Sequence, residues 1–214
     1  MELLPLVFAT GWASGVNASV TVVVLGLLGR FADVDPVPAA FQRTDVLIVM
    51  AVLAAIELVV DKFCPWDSLL DVVGTLARPV AGGFIGALIG SSYGTGSAIG
   101  MGVVGVVAAL LTHLVKMAFR LATTRPSQPA GTIALSVAED VAVVVAVTCA
   151  FLVPGVTAVV AAALVVLGAA TSFVLRGRIK DSLQRLRHLA RRTQQLRPPK
   201  KPPLVERIRR GRRG

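Results

Sequence analysis

The stretch Val156–Leu175, VTAVVAAALVVLGAATSFVL, holds twenty residues without a single charge. A helix needs about 20 apolar residues, at ~1.5 Å each, to cross the ~30 Å of bilayer hydrocarbon. The run is continuous rather than alternating in polarity, which excludes a strand of a membrane β-barrel. Pro154-Gly155 makes a sharp turn before it, and Arg176 closes it. Similar runs recur upstream. Of the 214 residues 55% are hydrophobic and 16% charged, with a mean hydropathy of +0.76. A soluble domain carries about a quarter charged residues. The fold class expected is all-α, a polytopic transmembrane helical bundle of about six spans.

The other five spans are expected at about Leu3–Arg30, Asp45–Lys62, Trp66–Gly90, Ala98–Thr123 and Thr132–Val153. Pro36 and Pro38 mark a loop over Phe31–Thr44, Pro65 breaks the chain before Asp67 or Ser68 caps the next helix, and Ser91–Ser97 reads as a polar turn. The Trp66–Gly90 segment could instead be re-entrant, leaving five spans. Met1-Glu2-Leu3-Leu4 shows no basic n-region or cleavage site, so the first helix is expected to be retained. Cys64 and Cys149 have no metal-type spacing.

Charge divides the chain into two parts. From Arg176 onward, fifteen Lys/Arg face Asp181 and Glu206, a balance of +13, whereas the first 175 residues hold seven bases and ten acids, −3. Residues 1–176 therefore read as the membrane domain and 177–214 as a basic tail. Ile179, Leu183, Leu186, Ala190 and Leu196 give that tail an apolar face, so an amphipathic cytoplasmic helix lying on anionic headgroups is expected. Nucleic acid is disfavoured as a partner, because no aromatic residues interleave the charges. The positive-inside rule puts the tail on the cytoplasmic face of a cell (inner) membrane, and six spans would put the N-terminus there too.

Within the membrane domain six acids and five bases gather in two stretches, Glu57–Pro79 and His113–Asp140. A charge at the bilayer centre costs about 2.5–3.5 kcal/mol on insertion scales, so such clusters mark candidate sites. Glu57 and Asp61 share one face of a helix. Asp67, Asp71, Thr75 and Arg78 form a stripe on the next, and His113, Lys116 and Arg120 a stripe on the fourth. Ser136, Glu139 and Asp140 lie one to two turns into the fifth. These residues suit a salt-bridge lattice that locks the bundle, or a polar site for an ion or solute. The carboxylates could hold Mg²⁺ or Ca²⁺, and the bases could hold phosphate or carboxylate. No Ser/His/Asp order, metalloprotease motif or phosphate loop is present, so an enzyme is not expected and no cofactor is implied.

Small residues supply a second pattern. Gly82, Gly86 and Gly90 are spaced by four, as are Gly96 and Gly100, and Gly11 and Gly15; such stripes let helix backbones approach, within one chain or in a homo-oligomer. Ser14 and Asn17 make a polar, bendable segment in the first helix, of the kind from which transporters build sites.

The segment Glu57-Leu58-Val59-Val60-Asp61-Lys62 … Pro65-Trp66-Asp67-Ser68-Leu69-Leu70-Asp71 … Thr75 … Arg78-Pro79 … Gly82 resembles a bacterial membrane family catalogued as domain of unknown function 4126. His113-Leu114-Val115-Lys116 … Arg120 … Ser136-Val137-Ala138-Glu139-Asp140 is similar to that family's second signature. The likeness covers about residues 5–180 and leaves out the tail. Three departures stand out: Cys64 shifts the proline by one, Gly74 occupies a position where histidine is expected, and Arg125-Pro126-Ser127-Gln128 differs from the usual Ser-Pro-rich turn. The resemblance implies an integral membrane protein and supplies no activity. The function expected is that of a channel or transporter for a small ion or polar solute. The alternative is a membrane scaffold or lipid-organising protein acting through the tail.

Overall fold

In the computed structural model, the residues described are 2–32, 34, 37–63, 67–123 and 129–177, with 180 and 184. Among them all regular structure is helical: α1 Leu3–Val16, α2 Ala18–Phe31, α3 Ala39–Gln42, α4 Thr44–Phe63, α5 Asp67–Ser91, α6 Thr95–Thr123, α7 Pro129–Leu152 and α8 Pro154–Val174. Thr95–Arg120, Ile133–Leu152 and Pro154–Val174 are long and apolar enough to cross a membrane. Only 11% of the α8 window is buried, so its valines and leucines face outward and require an apolar solvent.

The single helix expected over Leu3–Arg30 is instead two helices of 14 residues each, meeting at Asn17. Asn17 has an extended backbone (φ −151°, ψ 104°), and its side-chain oxygen accepts from Val20 N at 3.1 Å. That is the N-cap preference of asparagine, which satisfies an otherwise orphaned donor of α2. The loop expected over Phe31–Thr44 contains the one-turn α3, whose Phe41 is buried. The polar turn after α5 is shorter than expected, since α6 already begins at Thr95; Gly94, at φ 104°, takes the left-handed conformation that the turn requires. Residues 67–91 form one unbroken helix despite Pro79.

Glycine contacts fix the directions of the helices. A Cβ on Gly82 would meet the Gly105 carbonyl, one on Gly83 would meet Val106, and one on Gly90 would meet Ser97, so α5 and α6 are antiparallel and backbone-close along their length. Gly82, Gly86 and Gly90 thus lie at a helix–helix contact, whereas Gly96 and Gly100 face open space. Gly11 abuts Gly105 and Ala108, and Gly15 abuts Ala109 and Thr112, so α1 runs parallel to α6. A Cβ on Gly155 at the start of α8 would stand 3.0 Å from Glu2 Oε2, and one on Gly168 would meet Val115, so α8 runs the same way.

α1 therefore begins at the end of the bundle that holds the α5–α6 and α7–α8 turns, and α8 ends at the opposite one. Leu3–Arg30 therefore does not run the length of the bundle as one helix, and the start of α1 and the end of α8 lie at opposite ends of it. α1 is the central element, packed against α5, α6, α7 and α8, and every residue from Thr10 to Val16 is buried. α2 leaves it to pack on α4 and α7. The apolar core joins Leu6, Val7, Leu25 and Ile85 to Val143 and Val147. From residue 178 on, except for 180 and 184, the amphipathic tail lies outside the described residues.

Candidate functional site

The break in α1–α2 has a chemical consequence. A helix C-terminus leaves carbonyls without helical donors and carries partial negative charge, and an N-terminus carries the opposite charge. Lys116 on α6 donates from Nζ to the Val16 carbonyl at 2.9 Å, placing an ammonium at the end of α1. Asp140 on α7 accepts at Oδ1 from Asn17 Nδ2 at 3.1 Å, placing a carboxylate at the start of α2. Each half-helix end thus meets a charge of complementary sign. Thr21 Oγ1 donates to the Asn17 carbonyl at 2.7 Å and completes the joint.

Lys116 also pairs with Glu139 Oε2 at 2.9 Å, and Arg120, one turn further along α6, reaches the same oxygen at 2.9 Å. Both cationic side chains are at most 8% exposed and Glu139 is 16% exposed. Two cations share one carboxylate oxygen away from water, so removing the carboxylate would leave uncompensated buried charge and be costly.

A second chain of contacts joins α5 to α6. Arg78 Nη1 lies 2.8 Å from His113 Nδ1; guanidinium can only donate, so Nδ1 accepts and the ring proton is on Nε2. Nε2 lies 3.2 Å from Thr75 Oγ1, which donates on to Met117 Sδ at 3.7 Å. His113 is fully buried. Ser14 Oγ on α1 donates to the Arg78 carbonyl at 3.3 Å, tying this pair to the central helix. A Cβ on Gly74 would stand 3.3 Å from Arg78 Nε and 3.4 Å from His113 Cε1, so a histidine there would enter this pair; here the space is left to hydrogen.

Arg78, His113, Lys116, Arg120, Ser14 and Asn17, all buried, thus come together with the half-buried Glu139 and Asp140 in one polar layer across α1, α5, α6 and α7. Glu57 on α4 is half-buried. The side chains of Asp61, Asp67 and Asp71 lie outside the described residues. Among the described residues, no three of His, Cys, Asp and Glu gather to hold a metal ion. Cys149 is a free thiol.

Two features had no sequence signal. One is the Val16 carbonyl, a backbone group that becomes an acceptor only because Asn17 stops the helix. The other is a cavity of about 320 Å³ beside the layer, with Lys116 and Glu139 in a wall otherwise made by Trp12, Val16, Leu164 and Gly168 among others.

No curated protein and no solved structure matches the chain. The family model described as Domain of unknown function (DUF4126) matches residues 4–173, which span the whole polar layer, and the chain belongs to that family.

Proposed function

We propose that this membrane protein is a channel or transporter for a small ion or polar solute, with the polar layer as its site. The observation that carries the reading is the docking of Lys116 on the Val16 carbonyl at the broken end of α1. Unwound backbone and half-helix ends at membrane depth are tolerated where they line a polar site, and transporters bind ions and solutes with such groups. Lys116 is a tethered cation bridging the α1 end to Glu139. A passing cation would compete for the same oxygens, and a passing anion would compete with Glu139 for Lys116 and Arg120.

A re-entrant hairpin fits this reading. α1 and α2 are each about 21 Å long, too short for ~30 Å of hydrocarbon. α4 ends at Phe63, four residues before α5 opens at Asp67, so these ends are neighbours. If α4 crosses the bilayer, Thr44 is at the other face, where Arg30 Nη1 donates to Thr44 Oγ1 at 3.0 Å. α2 then returns to the face from which α1 enters, and Asn17 is the hairpin tip, held in the polar layer. Five full spans, α4 to α8, surround the hairpin. The positive-inside rule assigns the basic end of α8 to the cytoplasm of a cell membrane, and hence the N-terminus to the opposite face.

The test uses full-length protein in liposomes, with flux of H⁺, Na⁺, K⁺, Mg²⁺ and Cl⁻ measured separately. The expected result is flux of at least one of these ions that Glu139→Gln abolishes or reselects. Absence of flux for all five from folded protein overturns the proposal for inorganic ions. Flux that is indifferent to Glu139→Gln and Lys116→Met overturns the assigned site.

A further inference from the structure

The cavity beside Lys116 does not end at the polar layer. A second cavity of about 290 Å³ continues from it along α7 and α8, lined by Ala146, Cys149, Thr157 and Val160 among others. Trp12, Ala142 and Leu164 line both cavities, so the two form one groove with the Trp12 indole in its wall. On α8 the groove runs from Thr171 to Val156, about 22 Å of helix. Both parts of the groove are open to the surface of the bundle, so in a bilayer an apolar molecule lies against their walls.

Its polarity is graded. Thr171, Lys116 and Glu139 are at one end, and beyond Trp12 towards Val156 the wall is hydrocarbon apart from Thr157 and the Cys149 thiol. The occupant is therefore an amphiphile with its polar part at the Thr171 end. Charge at that end is positive. Lys116 and Arg120 share one carboxylate, and α8 leads into Arg176 and Lys180, both exposed. From Arg176 the sequence carries fifteen Lys/Arg against two acids. Polybasic segments at a membrane face attract anionic lipid at about 1 kcal/mol per charge.

We infer that the α7–α8 groove holds one acyl chain of an anionic phospholipid, with the chain against Trp12 and the headgroup at the basic end of α8. The site lies beside the ion path proposed above and shares with it the wall formed by Val16, Lys116 and Glu139. A lipid there covers that wall from the bilayer side and seals the polar layer against hydrocarbon.

The chain has two tryptophans, so Trp66→Phe leaves Trp12 as the only indole. Full-length Trp66→Phe protein is placed in liposomes of bromine-labelled phosphatidylglycerol or identically labelled phosphatidylcholine, and Trp12 fluorescence is recorded. The expected result is quenching that is stronger with the anionic lipid. Ala142→Phe, which fills the junction of the two cavities, should abolish that difference while circular dichroism and retention volume stay unchanged. Equal quenching by both lipids overturns the anionic headgroup. Absence of quenching, or quenching that appears only when dilution separates copies of the chain, overturns lipid as the occupant; the second result would assign the groove to another copy. Should Ala142→Phe fail to fold, Leu164→Trp in Trp12→Phe, Trp66→Phe protein supplies a reporter in the same groove, read in the same way. Ion flux is not part of this readout, so its failure and that of the proposed transport are distinguishable.

Discussion

At the scale of single residues, Glu139 and Asn17 hold the polar layer together, and each makes a testable asymmetry. Glu139 neutralises both Lys116 and Arg120. Glu139→Gln leaves two buried cations facing a neutral amide and should cost about 3–5 kcal/mol. Lys116→Met leaves Glu139 still paired with Arg120 and removes one donor to the Val16 carbonyl, so about 1–3 kcal/mol is expected. Thermal unfolding in detergent should therefore rank Glu139→Gln below Lys116→Met; the reverse order would mean that the lysine, not the carboxylate, organises the pair. Asn17 caps α2 and donates to Asp140. Asn17→Asp keeps a good cap yet sets two carboxylates together, and it should be destabilising until Asp140→Asn is added. A double-mutant cycle on unfolding temperature checks the rescue.

At the scale of elements, the contrast is between glycines that touch and glycines that do not. A Cβ on Gly105 would overlap the Gly82 carbonyl oxygen, whereas one on Gly100 would meet nothing within 4 Å. Gly105→Ala should push α5 from α6 and cost about 1–3 kcal/mol. Gly100→Ala should be neutral on the same thermal assay. The spacing-by-four pattern alone treats these stripes alike, because period identifies a face but not what covers it. α5 to α8 were legible because each is an apolar run bounded by proline, glycine or polar turns. The α1–α2 break was not: Asn17 stands inside a run otherwise apolar enough to continue, and its choice between helix interior and cap depends on Asp140, 123 residues away. The same dependence hid the union of the polar layer. The stripes on α5, α6 and α7 could be read from spacing, but the Val16 carbonyl that joins them to α1 has no side chain to read. The apolar groove was equally silent, since its walls are ordinary core residues and its substance is the space between them.

At the scale of the whole molecule, α1 begins at the end of the bundle opposite the end of α8. In protein with Cys64→Ser and Cys149→Ser, a cysteine placed by Glu2→Cys should react with a membrane-impermeant maleimide from the side opposite to one placed by Arg176→Cys. Labelling of both from one side would contradict the re-entrant hairpin. Transport requires the polar layer at the hairpin tip to be a path and not a sealed lock. Ser14, which donates to the Arg78 carbonyl, lies in that layer and has a side chain close in size to cysteine. The decisive measurement is ion flux through liposome-reconstituted Ser14→Cys protein, in the same cysteine-free background, before and after a small charged thiosulfonate. Flux is expected beforehand, and its loss after modification. Flux that persists after complete modification, or a Ser14→Cys thiol that stays unreactive in folded, conducting protein, would contradict a path through the layer.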